Sequence, residues 1–381
     1  MWEYDRRCEH QRDALLDTAL VTSTLAGNPF MSKQEGNALV RGKDIKGTVV
    51  VLSKTQPQQL SLFQTFLPAD ERYSNTIDLY DAIPKYFPKK RLKKERVEGM
   101  FLPMLKREFE YKNERFVVKI TPAKLETREG ERDFYPSHRE ELVEEALRKI
   151  ASTRLNGIFL NNIAGVQFTL YELKKELKER GHDIDLRDLI DSLKICNLTN
   201  ISVQKDDGKA VMQSAIFPTL LIASKEEWLK NPRSTRCYVQ FNPLVTHCIN
   251  QLTYRQFDYI AYMRYRYRLS RWLHKRLCHN YVQAGLMNPY TIKLSTIMRD
   301  SGTLEAKENY ENVRRIDEAL DELKEKKILL SFEKDIVRGK RNCIVDIKYT
   351  MLPTVEFIAE IKRANSRAQK LDAMLSSRSG S

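Results

Sequence analysis

Apolar residues recur at helical spacing in several long stretches of the chain and alternate at strand spacing in shorter ones. In "SHREELVEEALRKIAS", Leu142, Val143, Ala146, Leu147 and Ile150 form one stripe. Ser137, with Glu140 three residues on, predicts a capping box at its start. "YELKKELKERG" predicts a second helix, with Thr169 as cap and Gly181 as stop. "DLRDLIDSLKICN" predicts a third, with Leu186, Leu189, Ile190 and Leu193 on one face. Strands are expected in "FEYKNERFVVKITPA", turned at Lys112–Asn113, and in "IFLNNIAGVQFTL". "ISVQ" and "AVMQSAIFPTLLIAS" flank "KDDGK", whose Asp-Gly marks a hairpin turn. Helix, strand, helix, helix, hairpin is the order of a winged helix.

A similar order recurs downstream. "QFDYIAYMRYRYRLSRWLHKRLCHNYVQAG" is a long helical region with a break expected near Arg268, and "TIKLSTIMRDSG" contains a short helix. "NYENVRRIDEALDELKEKKI" turns Val313, Ile316, Leu320 and Leu323 inward, and "ILLSFEKD", "VRGKRN" and "CIVDIKYTML" read as a β-hairpin. The expected class is therefore α+β, with two tandem winged-helix domains and a flexible N-terminal region. Boundaries are expected as follows: a poorly defined segment at 1–55, a linker at 56–98, the first winged helix at 99–250, the second at 251–362, and a disordered tail at 363–381.

Composition narrows the partners. The 381 residues are 41% hydrophobic, enough for ordinary cores, and carry a net charge of +14. Such a balance suits nucleic acid or an anionic surface. No apolar run approaches the roughly 18 residues of a membrane span, and the N-terminus lacks a secretory pattern. A bacterial cytoplasm and no membrane partner are expected. The six cysteines are scattered and none forms a CxxC pair, so no metal is expected.

Enzyme constellations are sparse. No phosphate-cradling G-x-x-x-x-G-K-[ST] loop occurs. His274 and His279 are badly spaced for one helix face, which argues against a nuclease, and "HDID" reads as a helix start capped by Asp185. No enzyme activity and no cofactor are expected. Candidate DNA contacts are clearer. Asn309, Asn312, Arg314 and Arg315 lie near the start of the last winged-helix helix, and Asn and Arg are the types that read adenine and guanine edges. Arg338, Lys340 and Arg341 surround Gly339 at the hairpin turn. Arg264, Arg266, Arg268 and Arg271 in the tyrosine-arginine run, and Lys89, Lys90 and Arg91 in the basic run "PKKRLKKERVEG", are candidates for phosphate.

"QLSLF", comprising Gln59, Leu60, Ser61, Leu62 and Phe63, stands in polar, proline-flanked chain with little local cover for its three apolar residues. It matches the bacterial sliding-clamp binding pattern Q-L-x-L-F. "VQFTLYELKKEL", "SNTIDLYDAIPKY", "FYPSHREELVEEALRKIA" and "YRQFDYIAYMRYRYRLSRWLHKRL" resemble segments of plasmid replication initiators of the TrfA-like and RepA type. The resemblance covers roughly residues 59–350. It implies binding to double-stranded origin DNA at direct repeats (iterons), opening of an AT-rich stretch with single-stranded DNA contact, and recruitment of host helicase, DnaA and the sliding clamp. It also implies a homodimer as one state. The competing expectation, an autoregulatory winged-helix repressor, explains the domains and charge but not "QLSLF".

In the clamp reading, Leu62 and Phe63 fill an apolar pocket while Gln59 fixes register. Changing both Leu62 and Phe63 to Ala is expected to abolish pull-down of the purified sliding clamp and leave duplex binding intact; undiminished pull-down removes the assignment.

Overall fold

The computed structural model describes residues 72–87, 93–95, 101–127, 130–153, 156–206, 208, 211–222, 230–231, 233–251, 253–304, 309–339 and 344–378, with a two-residue strand at Gln58–Gln59. Lys89, Lys90, Arg91, Lys340 and Arg341 lie outside the described residues, as do Leu60, Ser61, Leu62 and Phe63; of Gln59 only the strand backbone is described.

Strand β1 (Tyr73–Ile77) runs into a short helix, α1 (Asp78–Ala82), and β2 (Lys93–Glu95) follows. Next come β3 (Leu105–Tyr111), β4 (Glu114–Thr121), β5 (Ala123–Thr127) and β6 (Gly130–Phe134). β3 and β4 turn at Lys112 and Asn113, both at positive φ, as the Lys-Asn pair predicts. Helix α2 (His138–Thr153) starts where expected: the Glu140 side chain accepts from both the N–H and the hydroxyl of Ser137. All five of its predicted stripe residues are buried.

β7 (Gly157–Leu160) and β8 (Ile163–Phe168) form a hairpin. Helix α3 (Leu170–Glu179) opens on a complete capping box between Thr169 and Glu172, and Gly181 follows it at φ 91°. Helix α4 (Leu186–Leu198) has Asp185 at its cap position, but the Asp185 side chain makes no capping hydrogen bond. Strands β9 (Asn200–Lys205) and β10 (Val211–Ala215) pair in the expected hairpin. Its place differs from expectation. β9 also pairs with β4, giving a four-stranded sheet in the order β10-β9-β4-β3. The strands that sit beside β8 are instead β12 (Cys237–Gln240) and then β11 (Leu220–Leu221). A hairpin can be read locally, but which sheet it joins depends on strands far away in sequence.

After α5 (Pro243–Asn250), β13 (Tyr254–Asp258) pairs antiparallel with β1. The tyrosine-arginine region is broken as expected, into α6 (Tyr259–Met263) and α7 (Arg268–Asn280). β14 (Tyr290–Lys293), α8 (Leu294–Ser301), α9 (Asn309–Glu325), β15 (Leu329–Arg338) and β16 (Ile344–Pro353) follow, with sheet order β14-β16-β15. The last helix, α10 (Val355–Arg378), continues through the region expected as a disordered tail.

The expected linker is partly core. Ile77 and Tyr80 are fully buried, and β2 pairs with β6. Residues Gln59–Ser381 form one compact unit, so the boundary expected at 250/251 does not separate two bodies. The joint is polar as well as apolar. The Asp300 carboxylate accepts from the Glu110 N–H at 3.0 Å and from Arg276 at 3.1 Å, and Arg107 donates to the Pro84 and Tyr86 carbonyls at 2.8 Å each. Gly302 ends α8 at φ 58°, and a Cβ there would meet the Pro84 Cβ at 2.7 Å. Glycine serves both the left-handed cap and the close approach.

At the centre lies a knot of buried charge. Asp81 on α1 accepts from both terminal nitrogens of Arg148 at 3.0 and 2.9 Å, from Lys275 at 3.1 Å, and from the Ile77 N–H and Thr76 hydroxyl at 2.8 and 2.7 Å. Glu145 contacts Arg148 and Lys275; Lys85 lies 3.8 Å from Glu144, which accepts from the Tyr86 hydroxyl. Thus α1, α2 and α7 share one network. Although burial alone would raise the Asp81 pKa, the Arg148, Lys275 and Lys85 cations hold it well below the usual carboxylate range.

Two histidines on α7 sit beside this knot. His274 is fully buried, 3.0 Å from the Tyr265 hydroxyl, and faces the charges of Asp258 and Lys275. The Nε2 of His279 lies 3.0 Å from the Thr76 hydroxyl, and Asp78, Asp81, Arg255 and Lys275 surround the ring. Burial pushes both down to about 4. The unfolded value is near 6.5, so the stability each neutral ring contributes is complete above about pH 6.5 and is lost as pH falls towards 4, by about 3 kcal/mol per ring. The urea midpoint is therefore expected to fall steadily over that interval, and His279→Gln is expected to make the fall shallower; an unchanged slope in the variant contradicts it.

Candidate nucleic-acid interface

Helix α9 carries its chemistry unevenly along its length. Ile316, Ala319, Leu320 and Leu323 are buried and fix its inner face. Asn309, Tyr310, Arg314 and Arg315 occupy the first two turns, whereas Asp317, Glu318, Asp321 and Glu325 follow them. A phosphate backbone is attracted to the first half and repelled by the second, so the helix can enter a groove only by its start.

Two contacts set the direction of α9 against the hairpin. Lys334 on β15 reaches Asp317 at 2.8 Å, and Lys324 lies 5.5 Å from the Phe332 ring. The helix and β15 therefore run antiparallel, and the start of α9 points towards the turn between Arg338 and Ile344. The strand is exposed from Leu330 to Arg338 apart from Phe332, which is half-buried. One end of this unit thus gathers Asn309, Tyr310, Arg314, Arg315 and Arg338, with Gly339 in the turn.

The arginines on α9 are held by weak partners. Arg314 pairs with Glu318 at 2.7 Å, and Arg315 pairs with Glu311, each four residues away on the helix. Their side chains are 55% and 42% exposed, so each pair is worth only about 0.3–0.5 kcal/mol. A base edge or phosphate can replace the carboxylate at little cost. The helix N-terminus adds its own positive end.

Three of the sequence candidates are corrected. Asn312 is fully buried within α9 and cannot reach a base edge without unfolding its turn. Arg271 is also buried; its guanidinium donates to the Tyr262 carbonyl at 3.3 Å and to the Tyr265 carbonyl, and lies 3.1 Å from the His138 Nδ1. Arg268 is mostly buried, bound to Glu141 at 2.9 Å and the Tyr86 carbonyl at 3.0 Å. Arg268 and Arg271 hold Glu141 well below the ordinary carboxylate range, and burial opposes them. Both arginines fasten α7 to the start of α2 instead of meeting phosphate. Arg264 and Arg266 are exposed in the break before α7, with Arg266 over the Tyr267 ring at 5.7 Å.

Sequence reasoning missed Tyr310, which is 77% exposed one residue into α9. Its four-residue spacing from Arg314 was the available signal. By contrast, α4 exposes Arg187 and Lys194 but has Asp185 at its cap and carries Asp188 and Asp191, with Asp188 paired to Arg139 at 2.7 Å. That helix presents no comparable basic end. Among the described residues no cluster suited to a metal ion occurs, and no helix is long and apolar enough to cross a membrane.

No family model matches the chain, and no curated protein matches it. Among solved structures it is similar to selenomethionine derivatives of domains 2 and 3 of RctB, with TM-score 0.40 and 11% identity, over 68% of this chain and 95% of that one. A second structure of RctB domains 2–3 gives TM-score 0.38 and 12% identity, over 74% and 99%. The Pi initiator protein in complex with iteron DNA gives TM-score 0.35 and 12% identity, over 50% and 82%. At TM-scores this low, the functional reading rests on this chain's own residues.

Proposed function

We propose that the chain is a non-enzymatic plasmid replication initiator that binds direct repeats at a double-stranded origin through two winged-helix modules. The first module comprises α2, β8, α3 and α4 with β11 and β12 as its hairpin strands; the second comprises α7, β14, α8, α9, β15 and β16. The observation that carries the reading is the shared end of α9 and the β15–β16 hairpin. There Asn309, Arg314 and Arg315 project from the start of a helix, and Arg338 stands beside the turn.

The roles follow from charge and geometry. The start of α9 enters the major groove, where Arg315 and Arg314 donate to guanine edges and Asn309 to adenine. Arg338, with Lys340 and Arg341 in the turn, contacts the flanking backbone or minor groove. Arg264 and Arg266 add phosphate contacts, and the basic run with Lys89, Lys90 and Arg91 extends them, so binding weakens steeply with salt. The first module docks by its flanks, because three aspartates on α4 repel phosphate. Gln59–Phe63 tethers the origin-bound protein to the sliding clamp, and helicase and DnaA complete the assembly at the opened AT-rich stretch.

The test is anisotropy with the cognate repeat and with random duplex at several salt concentrations. Arg315→Ala is expected to reduce discrimination between the two by about 1–3 kcal/mol. Equal loss on both duplexes removes Arg315 from base readout. Asn312→Ala, as a control, is expected to lower stability and leave discrimination unchanged.

A further inference from the structure

The outer surface of α3 is patterned for charge. Leu170, Leu173 and Leu177 are buried and fix its inner face. Tyr171, Lys174, Lys175 and Lys178 follow the i, i+3, i+4, i+7 spacing of one outer stripe; Lys174 is half-buried and the other three are exposed. The segment entering β12 adds to the stripe. Arg233 lies over the Tyr171 ring at 5.4 Å, and Arg236 reaches Glu172 at 3.4 Å. Lys174 and Lys178 share Asp183 at 3.9 and 3.6 Å, and Lys175 pairs with Glu179 at 3.7 Å. Against these five cations stand Asp183, Glu179 and Glu172. Long pairs at a surface contribute little and give way to a better anion.

The stripe adjoins cations of the second module. His182, beside Asp183 in the turn after α3, places its Nε2 2.7 Å from the Met263 carbonyl. Arg264 follows Met263, and both Arg264 and Arg266 are exposed. Glu322 on α9 accepts from the Arg266 N–H at 2.5 Å. From Asn309 to Glu322 that helix rises roughly 20 Å. One turn of duplex spans about 34 Å. Arg266 therefore lies within a turn of the bases met by the start of α9, and the α3 stripe continues the basic path beyond it.

We propose that the α3 stripe, with Arg233 and Arg236, is the phosphate grip of the first module and holds the duplex backbone about one turn from the bases that α9 reads. In a helix-turn-helix pair the second helix lies in the groove and the first crosses the backbone. Asp188 and Asp191 keep α4 out of the groove, which leaves α3 to meet the backbone. Arg233, stacked on Tyr171, presents a planar fork that matches phosphate. Phosphate contacts position a protein and carry no sequence, so α3 anchors while α9 reads. An acidic protein offers carboxylates to the same cations, but continuity with Arg264 and Arg266 favours the duplex. The grip rests on the reading of the chain as a binder of duplex DNA.

The experiment measures anisotropy of the full chain on the cognate repeat and on random duplex over a range of salt. Lys175→Gln with Lys178→Gln is expected to weaken binding to both duplexes alike, by about tenfold or more at about 0.1 M salt. It is also expected to lower the slope of log K against log salt by about 2 and to keep the discrimination between the duplexes. Arg233→Gln is expected to lower the slope by about 1, and Lys175→Arg with Lys178→Arg to keep both affinity and slope. Unfolding midpoints are expected to be unchanged. Trimming the cognate duplex by one turn, from each end separately, is expected to erase the difference between the double variant and the wild type at one end. Unchanged affinity and slope in the double variant overturn the proposal and leave the stripe to an acidic protein. So does lost discrimination, or a difference that survives both trims. Equal binding of the two duplexes by the wild-type chain fails the origin reading instead, and the salt slope still scores the grip.

Discussion

The structure depends on one carboxylate. Asp81 lies on a helix of a single turn and a half, yet it accepts from Arg148 on α2 and Lys275 on α7 as well as from its own strand. Its side chain is 3% exposed and that of Arg148 1%. A buried charge is costly unless it is paired and hydrogen-bonded, and removing one member of such a pair costs about 3–5 kcal/mol. Three carboxylates (Asp81, Glu144, Glu145) face three cations (Lys85, Arg148, Lys275), so the knot is neutral as a whole and its members cannot be exchanged singly. Apolar packing would hold the same helices together but would tolerate sliding; directed ion pairs set one register between α1, α2 and α7.

That register sets where the functional surfaces lie. α9 packs against α7, with Glu322 accepting from the Arg266 and Tyr267 N–H groups just before α7 at 2.5 and 3.0 Å. Fixing α7 therefore fixes the direction of α9. Its first two turns project beside the hairpin turn. A single body with one basic end suits a protein that must bind a duplex in a defined orientation.

Local features were legible in the sequence. Thr169 with Glu172, Ser137 with Glu140, and the Lys112–Asn113 turn each involve residues within three or four positions; the Thr169 cap and the turn formed as expected, and at Ser137 the glutamate half of the box formed, with the serine hydroxyl donating to Glu140. Long-range choices were not legible. The β9–β10 hairpin was expected as the last element of the first winged helix, but β9 pairs with β4, some eighty residues upstream. Tyr73–Phe87 was expected as linker because no partner for its apolar residues lies nearby in sequence; β13, far downstream, is what makes it core. The arginines misled for a related reason. Arg268 and Arg271 lie in a sequence that looks like a phosphate-binding run, and only the fold brings Glu141 and two tyrosine carbonyls to them. Arg314 and Arg315 could be placed from helical spacing alone, because their neighbours are on the same helix.

The measurement that tests this account most directly is amide hydrogen exchange of the intact protein, free and bound to a duplex carrying the cognate repeat. New protection is expected over 309–315 and around 338–344, with α1, α2 and α7 exchanging slowly and unchanged in both states. Protection on α4 with none at the start of α9, or fast exchange of α1 and α7 in the free protein, would contradict it.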